Sequence, residues 1–172
     1  MRNSDIEKCL LLMQTGNDTA LEKLYQITKK GVFTFVYSFL QNYHDAEDAM
    51  QTVYVKIKNG VNGYKKGTNA RAWILQIAKN HAINVINKNK REQTVESLPE
   101  QSYLDTKLEG GITEVMQRVL SQEENQIVIL HVLWGYKHRE IGKLLNLPTG
   151  TVTSKYKRSV KKLQIALKEE SL

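Results

Sequence analysis

Residues 138–167 read HREIGKLLNLPTGTVTSKYKRSVKKLQIAL, a stretch that predicts two helices joined by a turn at residues 146–148. In the second helix, apolar side chains recur at helical spacing at Val152, Tyr156, Val160 and Leu163. Polar side chains form a separate stripe at Thr151, Lys155, Arg158 and Lys162. A helix-turn-helix whose second helix has one packed face and one cationic face is typical of a module that enters the major groove of DNA.

Charge along the chain is uneven and divides it into three parts. The 172 residues carry a formal net charge of +7, which favours a polyanionic partner such as nucleic acid. Residues 1–91 have a net charge of +7, residues 92–110 of −4 and residues 111–172 of +4. The acidic part has the polar composition of a flexible linker. We therefore predict two small domains, residues 1–91 and 113–172, joined by a linker at residues 92–112.

The fold class indicated by the sequence is all-α, because no stretch shows the alternation of a strand. Ser4, Asp45 and Ser121 each stand three places before an acid, a pattern that favours helix starts. The predicted helices span residues 5–15, 18–41, 45–58, 69–90, 113–119, 122–134, 138–145 and 150–167. The predicted architecture is thus two small helical domains joined by a flexible acidic linker.

The chain lacks the residues that several functional classes need. Cys9 is the single cysteine, so the chain cannot form an internal disulfide. We predict that Cys9 is a small buried hydrophobic residue. The four histidines make no convincing metal-ligand spacing, and the chain has neither a phosphate-binding Gly-Lys-Ser/Thr loop nor a nucleophile elbow. No signal peptide or membrane span is evident. We expect a cytoplasmic protein that is not an enzyme, with no cofactor, no metal, no small-molecule substrate and no membrane insertion.

The predicted helix at residues 69–91 carries an asparagine-rich stripe opposite its apolar face. The stripe and its flanks comprise Trp73, Lys79, Asn80, Asn84, Asn87, Lys88 and Arg91. Amides can read base edges, an indole can stack on a base, and cations can hold phosphates, so this face suits unpaired bases. A cationic loop with Tyr64, Lys65 and Lys66 precedes it and could close over a flipped base. The alternatives are an ordinary surface and, for Trp73, burial in the core.

The predicted helix at residues 45–58 presents a different outer face. Its apolar face contains Ala46, Ala49, Met50, Val53 and Ile57. Its outer face carries acidic, amide and apolar side chains at Glu47, Asp48, Gln51 and Val55. Such a face suits a protein partner better than DNA, although it can also be merely solvated.

Three segments together resemble bacterial RNA polymerase sigma factors of the sigma-70 family. Residues 45–54, DAEDAMQTVY, are similar to the region 2.2 motif that docks on a coiled coil of the polymerase β′ subunit. Residues 71–80, RAWILQIAKN, resemble the segment that engages the −10 promoter element. Residues 148–155, PTGTVTSK, are similar to the start of the region 4 helix that reads the −35 element. The order and the short chain resemble the two-domain extracytoplasmic-function (ECF) type.

The resemblance implies a function, a set of partners and three groups of contact residues. The implied function is to bind core RNA polymerase, through its β′ and β subunits, and to direct initiation at promoter DNA, with an anti-sigma factor as a further partner. The core-binding residues would be Asp45, Glu47, Asp48, Gln51 and Val55. The −10 contacts would be Tyr64, Lys65, Lys66, Trp73, Lys79, Asn80, Asn84, Asn87, Lys88 and Arg91. The −35 contacts would be Thr149, Thr151, Ser154, Lys155, Lys157, Arg158, Lys161 and Lys162.

Four positions depart from the family's pattern. Asn84 and Asn87 stand where Asp and Arg are usual, and Lys155 replaces an Arg, which removes a bidentate guanine contact. Lys137 stands where a Ser or Thr would cap the helix that contains Ile141. We expect the loss of this cap to lower the stability of the helix by roughly 1 kcal/mol.

Two other functions would need only some of these predicted surfaces. A helix-turn-helix regulator that acts without polymerase would need the C-terminal module but no docking face at residues 45–51. A polymerase-binding regulator without initiation activity would need that docking face but not the stripe from Trp73 to Asn87. An enzyme is the reading that the sequence supports least.

Overall fold

The computed structural model describes residues 2–93 and 112–169, and it is helical throughout them apart from turns. These residues contain eight α-helices, one 3-10 turn (Val61–Gly63) and no strand. The helices are α1 (Asn3–Gln14), α2 (Thr19–Leu40), α3 (Tyr43–Gly60), α4 (Ala70–Gln93), α5 (Ile112–Val119), α6 (Gln122–Val132), α7 (His138–Leu145) and α8 (Thr149–Glu169). The all-α prediction is confirmed, and each predicted helix is present with ends within three residues of those expected.

Of the three helix caps predicted from the sequence, one is confirmed and two differ in the structure. Ser121 caps α6 as predicted: its hydroxyl accepts a hydrogen bond from the Glu124 N–H at 3.3 Å, and the Glu124 carboxylate accepts one from the Ser121 N–H at 3.0 Å. Asp45, in contrast, lies inside α3, whose cap is Asn42 accepting from the Asp45 N–H at 2.9 Å. Ser4 lies inside α1, which begins at Asn3.

The first compact unit lies within Met1–Leu104 and is a bundle of α1 to α4. Helix α2 packs against α1, α3 and α4, and α4 also packs against α1 and α3. The largest fully buried side chains of this core are Ile6, Leu10, Leu24, Phe35, Ile57, Ile74 and Leu75. Cys9 is also buried, as predicted for a small apolar residue, and burial raises the pKa of its thiol.

The second compact unit lies within Asp105–Leu172, where α8 packs against α5, α6 and α7. Its core is built around Trp134, which follows α6 and is fully buried together with Ile127, Ile129, Leu130 and Ile141. On α8, Val152 and Leu163 are buried as expected, whereas Tyr156 and Val160 are half-buried. Ser159, at 0% exposure, is an unexpected polar member, and its hydroxyl donates to the Lys155 carbonyl at 2.8 Å.

The predicted linker at residues 92–112 falls mainly on residues 94–111, which lie outside the described residues. On either side of it, α4 continues to Gln93 and α5 begins at Ile112. The boundaries of the two domains therefore stay a prediction, while the existence of two compact units is a finding of the structure.

Candidate nucleic-acid interface

Helix α3 buries one face and exposes the predicted docking residues on another. Asp48, Gln51 and Val55 are exposed, and Val55 retains 57% of its surface although it is apolar. Asp45 and Glu47 are only half-buried. A hydrogen bond to Glu47, with smaller contributions from burial and charge, raises the pKa of Tyr43. The exposed part of the predicted docking surface is therefore the row formed by Asp48, Gln51 and Val55.

The polar stripe predicted on α4 is exposed over most of its length. Asn84, Asn87, Lys88 and Arg91 are exposed within the last three turns of the described helix. Asn80 is exposed too, but its side-chain oxygen accepts a hydrogen bond from Gln76 Nε2 at 2.8 Å. Lys79 is half-buried. The surface available to bases therefore lies toward the C-terminal half of α4.

The loop before α4 is tied to α1 by hydrogen bonds that the sequence did not indicate. Glu7 Oε1 accepts from the Tyr64 hydroxyl at 3.0 Å and from the Gly67 N–H at 2.6 Å. Gln14 Nε2 donates to the carbonyls of Val61 and Tyr64, both at 2.8 Å. The cationic loop is thus held at several points, and it presents Lys65 and Lys66 as exposed side chains.

Tyr64 is buried and Trp73 is half-buried. Tyr64 is 3% exposed, and its hydroxyl also donates to the Thr68 carbonyl at 3.0 Å. Burial is the main reason that the pKa of Tyr64 is raised. Trp73 is half-buried, with its ring edge-to-face with Tyr64 at a centroid distance of 5.6 Å. The expectation that Tyr64 contacts DNA does not fit this burial, because the ring fills the space between α1 and α4.

The turn between α7 and α8 depends on a close backbone contact. A Cβ added at Gly142 would lie 2.6 Å from the Leu147 carbonyl oxygen, so only glycine fits without a shift. The Leu147 N–H donates to the Gly142 carbonyl at 2.8 Å, and Asn146 ends α7 in the left-handed conformation with φ 58°. Residues 138–145 and 149–169 therefore form a tight helix-turn-helix.

The start of α7 is capped in spite of Lys137. A lysine side chain has no acceptor, but the Glu140 carboxylate accepts a hydrogen bond from the Lys137 N–H at 2.8 Å. This is the reciprocal half of a capping box, so one of the unpaired N–H groups at the helix start is satisfied. The expected cost of lacking Ser or Thr is partly offset.

Helix α8 divides its cations between two faces. Ser154, Lys157, Arg158 and Lys161 are exposed at positions three and four apart, as is Thr149 at the helix start, while Thr151 is half-buried. Lys155 instead pairs with Glu123 of α6 at 2.8 Å, and Lys162 pairs with Glu124 at 2.8 Å. The polar stripe predicted at residues 151, 155, 158 and 162 is thus only partly available to a partner, because its two lysines form ion pairs with the acids at the start of α6.

His131 and His138, which lie on either side of the turn between α6 and α7, come into contact beside α8. The rings of His131 and His138 lie 4.9 Å apart, and Tyr156 lies 4.5 Å and 5.1 Å from them. His131 Nδ1 donates to the Tyr136 carbonyl at 2.8 Å, and His138 Nδ1 bonds the Thr153 hydroxyl at 3.1 Å. Burial, helped by His131 and Lys157, lowers the pKa of His138.

Neither a metal site nor a membrane span is found in the part of the chain that the structure describes. No group of three or more metal-ligating side chains comes together among residues 2–93 and 112–169. Over the same residues, no helix combines the length and the apolar character needed to cross a bilayer.

The fold and the exposed polar faces define an all-helical nucleic-acid-binding protein made of two units, and comparisons with known proteins narrow this class. Residues 24–92 match the Sigma-70 region 2 family, and residues 116–163 match the Sigma-70, region 4 family. The two matches together cover more than half of the chain, one in each compact unit.

Individual relatives agree with these matches. The chain is 22% identical to the ECF RNA polymerase sigma factor SigW of Bacillus subtilis, covering 95% of this chain and 97% of SigW. It is 26% identical to the ECF RNA polymerase sigma factor SigE of Mycolicibacterium smegmatis, covering 91% of this chain and 66% of SigE. Its fold resembles the sigma factor RpoE in its complex with the anti-sigma factor NepR from Bartonella quintana, with a TM-score of 0.66, 21% identity and coverage of 86% and 95%.

The chain belongs to the sigma-70 family and is of the ECF type. Sigma factors bind core RNA polymerase and promoter DNA, and this protein directs transcription initiation at specific promoters. A helix-turn-helix regulator that acts without polymerase would not account for the region 2 match, and the comparisons give that alternative no support.

Proposed function

We propose that three separate surfaces carry out the work of this sigma factor. The exposed row of Asp48, Gln51 and Val55 on α3 binds core polymerase, with Asp45 and Glu47 at its margin. The C-terminal half of α4 contacts unpaired −10 bases, and the exposed face of α8 lies in the major groove at the −35 element. The observation that supports this division most is that exposed cations stand beside exposed amide or hydroxyl side chains in the C-terminal half of α4 and along one face of α8, whereas the exposed row of α3 contains an acid, an amide and an apolar residue.

On α4, the proposed −10 surface consists of Asn84, Asn87, Lys88 and Arg91, with Asn80 and Lys79 beside it. Amide side chains can bond the edges of unpaired bases, and the cations can hold the phosphates of a single strand. Lys65 and Lys66 extend the positive surface from the anchored loop. The Trp73 ring packs edge-to-face against Tyr64 and so supports this loop, and its half-exposed surface lies beside the proposed −10 surface.

On α8, the proposed −35 residues are those that the structure leaves exposed or half-exposed at the start and along one face. Thr149, Thr151, Ser154 and Arg158 are assigned to base edges, and Lys157 and Lys161 to phosphates. Lys155 and Lys162 leave the set of direct contacts because their ammonium groups are occupied by Glu123 and Glu124.

The remaining properties follow from this role. The protein performs no covalent chemistry of its own, acts in the cytoplasm and uses no cofactor. An anti-sigma protein is a fitting inhibitor, because the RpoE relative with the same fold is bound by the anti-sigma factor NepR.

The experiment that tests the proposal combines capture of core polymerase with transcription from a fragmented genomic library. The wild-type protein should bind core and produce discrete new start sites. Asp48→Ala/Gln51→Ala should reduce core binding, whereas the matched pair Glu22→Ala/Gln26→Ala, which removes an exposed acid and an exposed amide from α2, should not. Arg158→Ala should keep core binding but lose or change the start sites. Equal loss from both double variants would contradict the assignment of the α3 surface.

A further inference from the structure

Two ion pairs connect the start of α6 to α8, and they occupy half of a potential DNA-binding stripe. Lys155 Nζ lies 2.8 Å from Glu123 Oε1, and Lys162 Nζ lies 2.8 Å from Glu124 Oε2. Lys155 and Lys162 are seven residues apart, or about two helical turns, so they lie on one face of α8. The two acids are neighbours in the first turn of α6. One acidic pair therefore neutralises two lysines of the recognition helix.

The two pairs differ in which partner is exposed to solvent. The Glu124 side chain is 7% exposed, and its Oε2 also accepts the capping hydrogen bond from the Ser121 N–H at 3.0 Å. Burial would raise the pKa of Glu124, but the hydrogen bonds from Lys162 and Ser121 outweigh it and hold the pKa below its usual value. The Glu123 side chain is 39% exposed, but its paired oxygen Oε1 is buried, and the Lys155 side chain is 25% exposed against 45% for Lys162. Glu124 is thus the more deeply buried acid, whereas Lys155 is the less exposed lysine.

The other cations of α8 have no such partner. Lys157, Arg158 and Lys161 are exposed, and none of them forms an ion pair with another residue of the described ranges. They lie on the face next to the paired lysines, so the helix presents a free cationic face and a neutralised one side by side. Only the free face adds counterion release to DNA binding.

We propose that Glu123 and Glu124 are specificity-determining residues, which hold Lys155 and Lys162 away from phosphates and so weaken binding of α8 to DNA of arbitrary sequence. A carboxylate and a phosphate compete for the same ammonium group, and phosphate contacts carry no sequence information. Keeping two lysines paired lowers affinity for every sequence while leaving Arg158 and Ser154 to discriminate between bases. This inference rests on the proposed placement of α8 in the −35 element.

The test measures binding of the full chain to a scrambled duplex and to a promoter duplex over a range of salt concentrations. Glu123→Gln should free Lys155, steepen the plot of log affinity against log salt by about one unit, and raise affinity for scrambled DNA roughly threefold to tenfold near 0.1 M salt. The ratio of promoter to scrambled affinity should fall. Loss of folding cannot produce this result, because the expected change is a gain in binding.

Two further variants make the experiment decisive. Lys155→Gln should leave the slope on scrambled DNA nearly unchanged, and Glu123→Gln/Lys155→Gln should return it to the wild-type value. Glu114→Gln removes the same charge from an exposed site on α5 and controls for net charge alone. An unchanged slope in Glu123→Gln, an equal effect of Glu114→Gln, or a slope lowered by about one unit in Lys155→Gln would overturn the proposal.

Glu124→Gln tests the second ion pair. Because Glu124 also caps α6, this variant can alter the helix itself, so Lys162→Gln is measured beside it. Glu124→Gln should increase the slope on scrambled DNA, and Lys162→Gln should leave that slope nearly unchanged. A slope that Lys162→Gln lowers by about one unit would show that Lys162 already contacts phosphate. Transcription by wild-type holoenzyme reports separately on the proposed function: absent start sites would reject that function, whereas the scrambled-DNA slopes would still test the ion pairs.

Discussion

His138 shows how a single residue can make the second unit sensitive to pH. Its Nδ1 bonds the Thr153 hydroxyl, while its Nε2 is buried and makes no hydrogen bond to any residue that the structure describes. Burial, the nearby His131 and the charge of Lys157 all disfavour the protonated ring, so the pKa of His138 lies below the usual value of a histidine. The unfolded chain therefore binds this proton more readily than the folded unit does.

We expect the free energy of unfolding of the second unit to fall as the pH drops below about 6.5, the value for the unfolded chain, and to level off below the lowered pKa of the folded state. His138→Gln should remove part of this decline. The measurement is urea unfolding at several pH values, with Trp134 as the only tryptophan in a Trp73→Phe background. Parallel pH profiles for the two proteins would mean that His138 is not responsible.

At the scale of elements, the helix-turn-helix is fixed by the approach of one backbone to another. Helix α7 is only eight residues long, which is too short to be stable alone, so its position depends on contacts at the turn and with α8. The turn brings the Leu147 carbonyl within 2.6 Å of where a Cβ of residue 142 would stand. This contact sets how closely the two helices of the module approach.

Gly142→Ala should destabilise the second unit by about 1–3 kcal/mol, because the added methyl group meets backbone rather than a flexible side chain. The matched control is Gly150→Ala, also within a helix but with nothing within 4 Å of the added Cβ. That change should be neutral or stabilising by up to about 1 kcal/mol, since alanine favours helix. Urea unfolding followed by Trp134 fluorescence measures both, and similar losses in the two variants would refute the role of the close contact.

At the scale of the whole molecule, the chain forms two compact units with separate cores. Phe35 lies at 0% exposure in the first core, and Trp134 lies at 0% exposure in the second. Each family match falls within one unit, so each matched region has its own apolar core. The structure therefore supports a modular protein, in which stability can be changed in one unit at a time.

Phe35→Ala should destabilise the first unit by about 3–5 kcal/mol, because it removes a large buried ring and leaves a cavity. Hydrogen exchange followed by mass spectrometry should show lost protection in peptides from residues 19–60 and unchanged protection in peptides from residues 122–163. Gln26→Ala, an exposed change in the same helix, controls for the substitution itself. A loss of protection that spreads through both units would argue against separate cores.

The sequence by itself determined the elements of this protein and its family. Helical periodicity, charge distribution and three short motifs were enough for eight helices, two basic units and the sigma-factor assignment, because these features depend on residues close together in the chain. Even the cap at Ser121 followed from local spacing. The helix starts expected at Asp45 and Ser4 did not, because the Asn42 side chain caps α3 and α1 begins at Asn3 without a side-chain cap.

Only the tertiary structure decided which polar residues are available. Tyr64 looked like a base contact but is buried against Glu7, 57 residues away in the chain. Lys162 is predicted from its spacing to be a phosphate contact, and its ammonium group pairs with Glu124, 38 residues away. His131 and His138 are separated by a turn in the sequence, yet their rings come into tilted contact beside Tyr156. Spacing along a helix predicts which face a residue occupies, but the packing of distant elements decides what lies opposite that face.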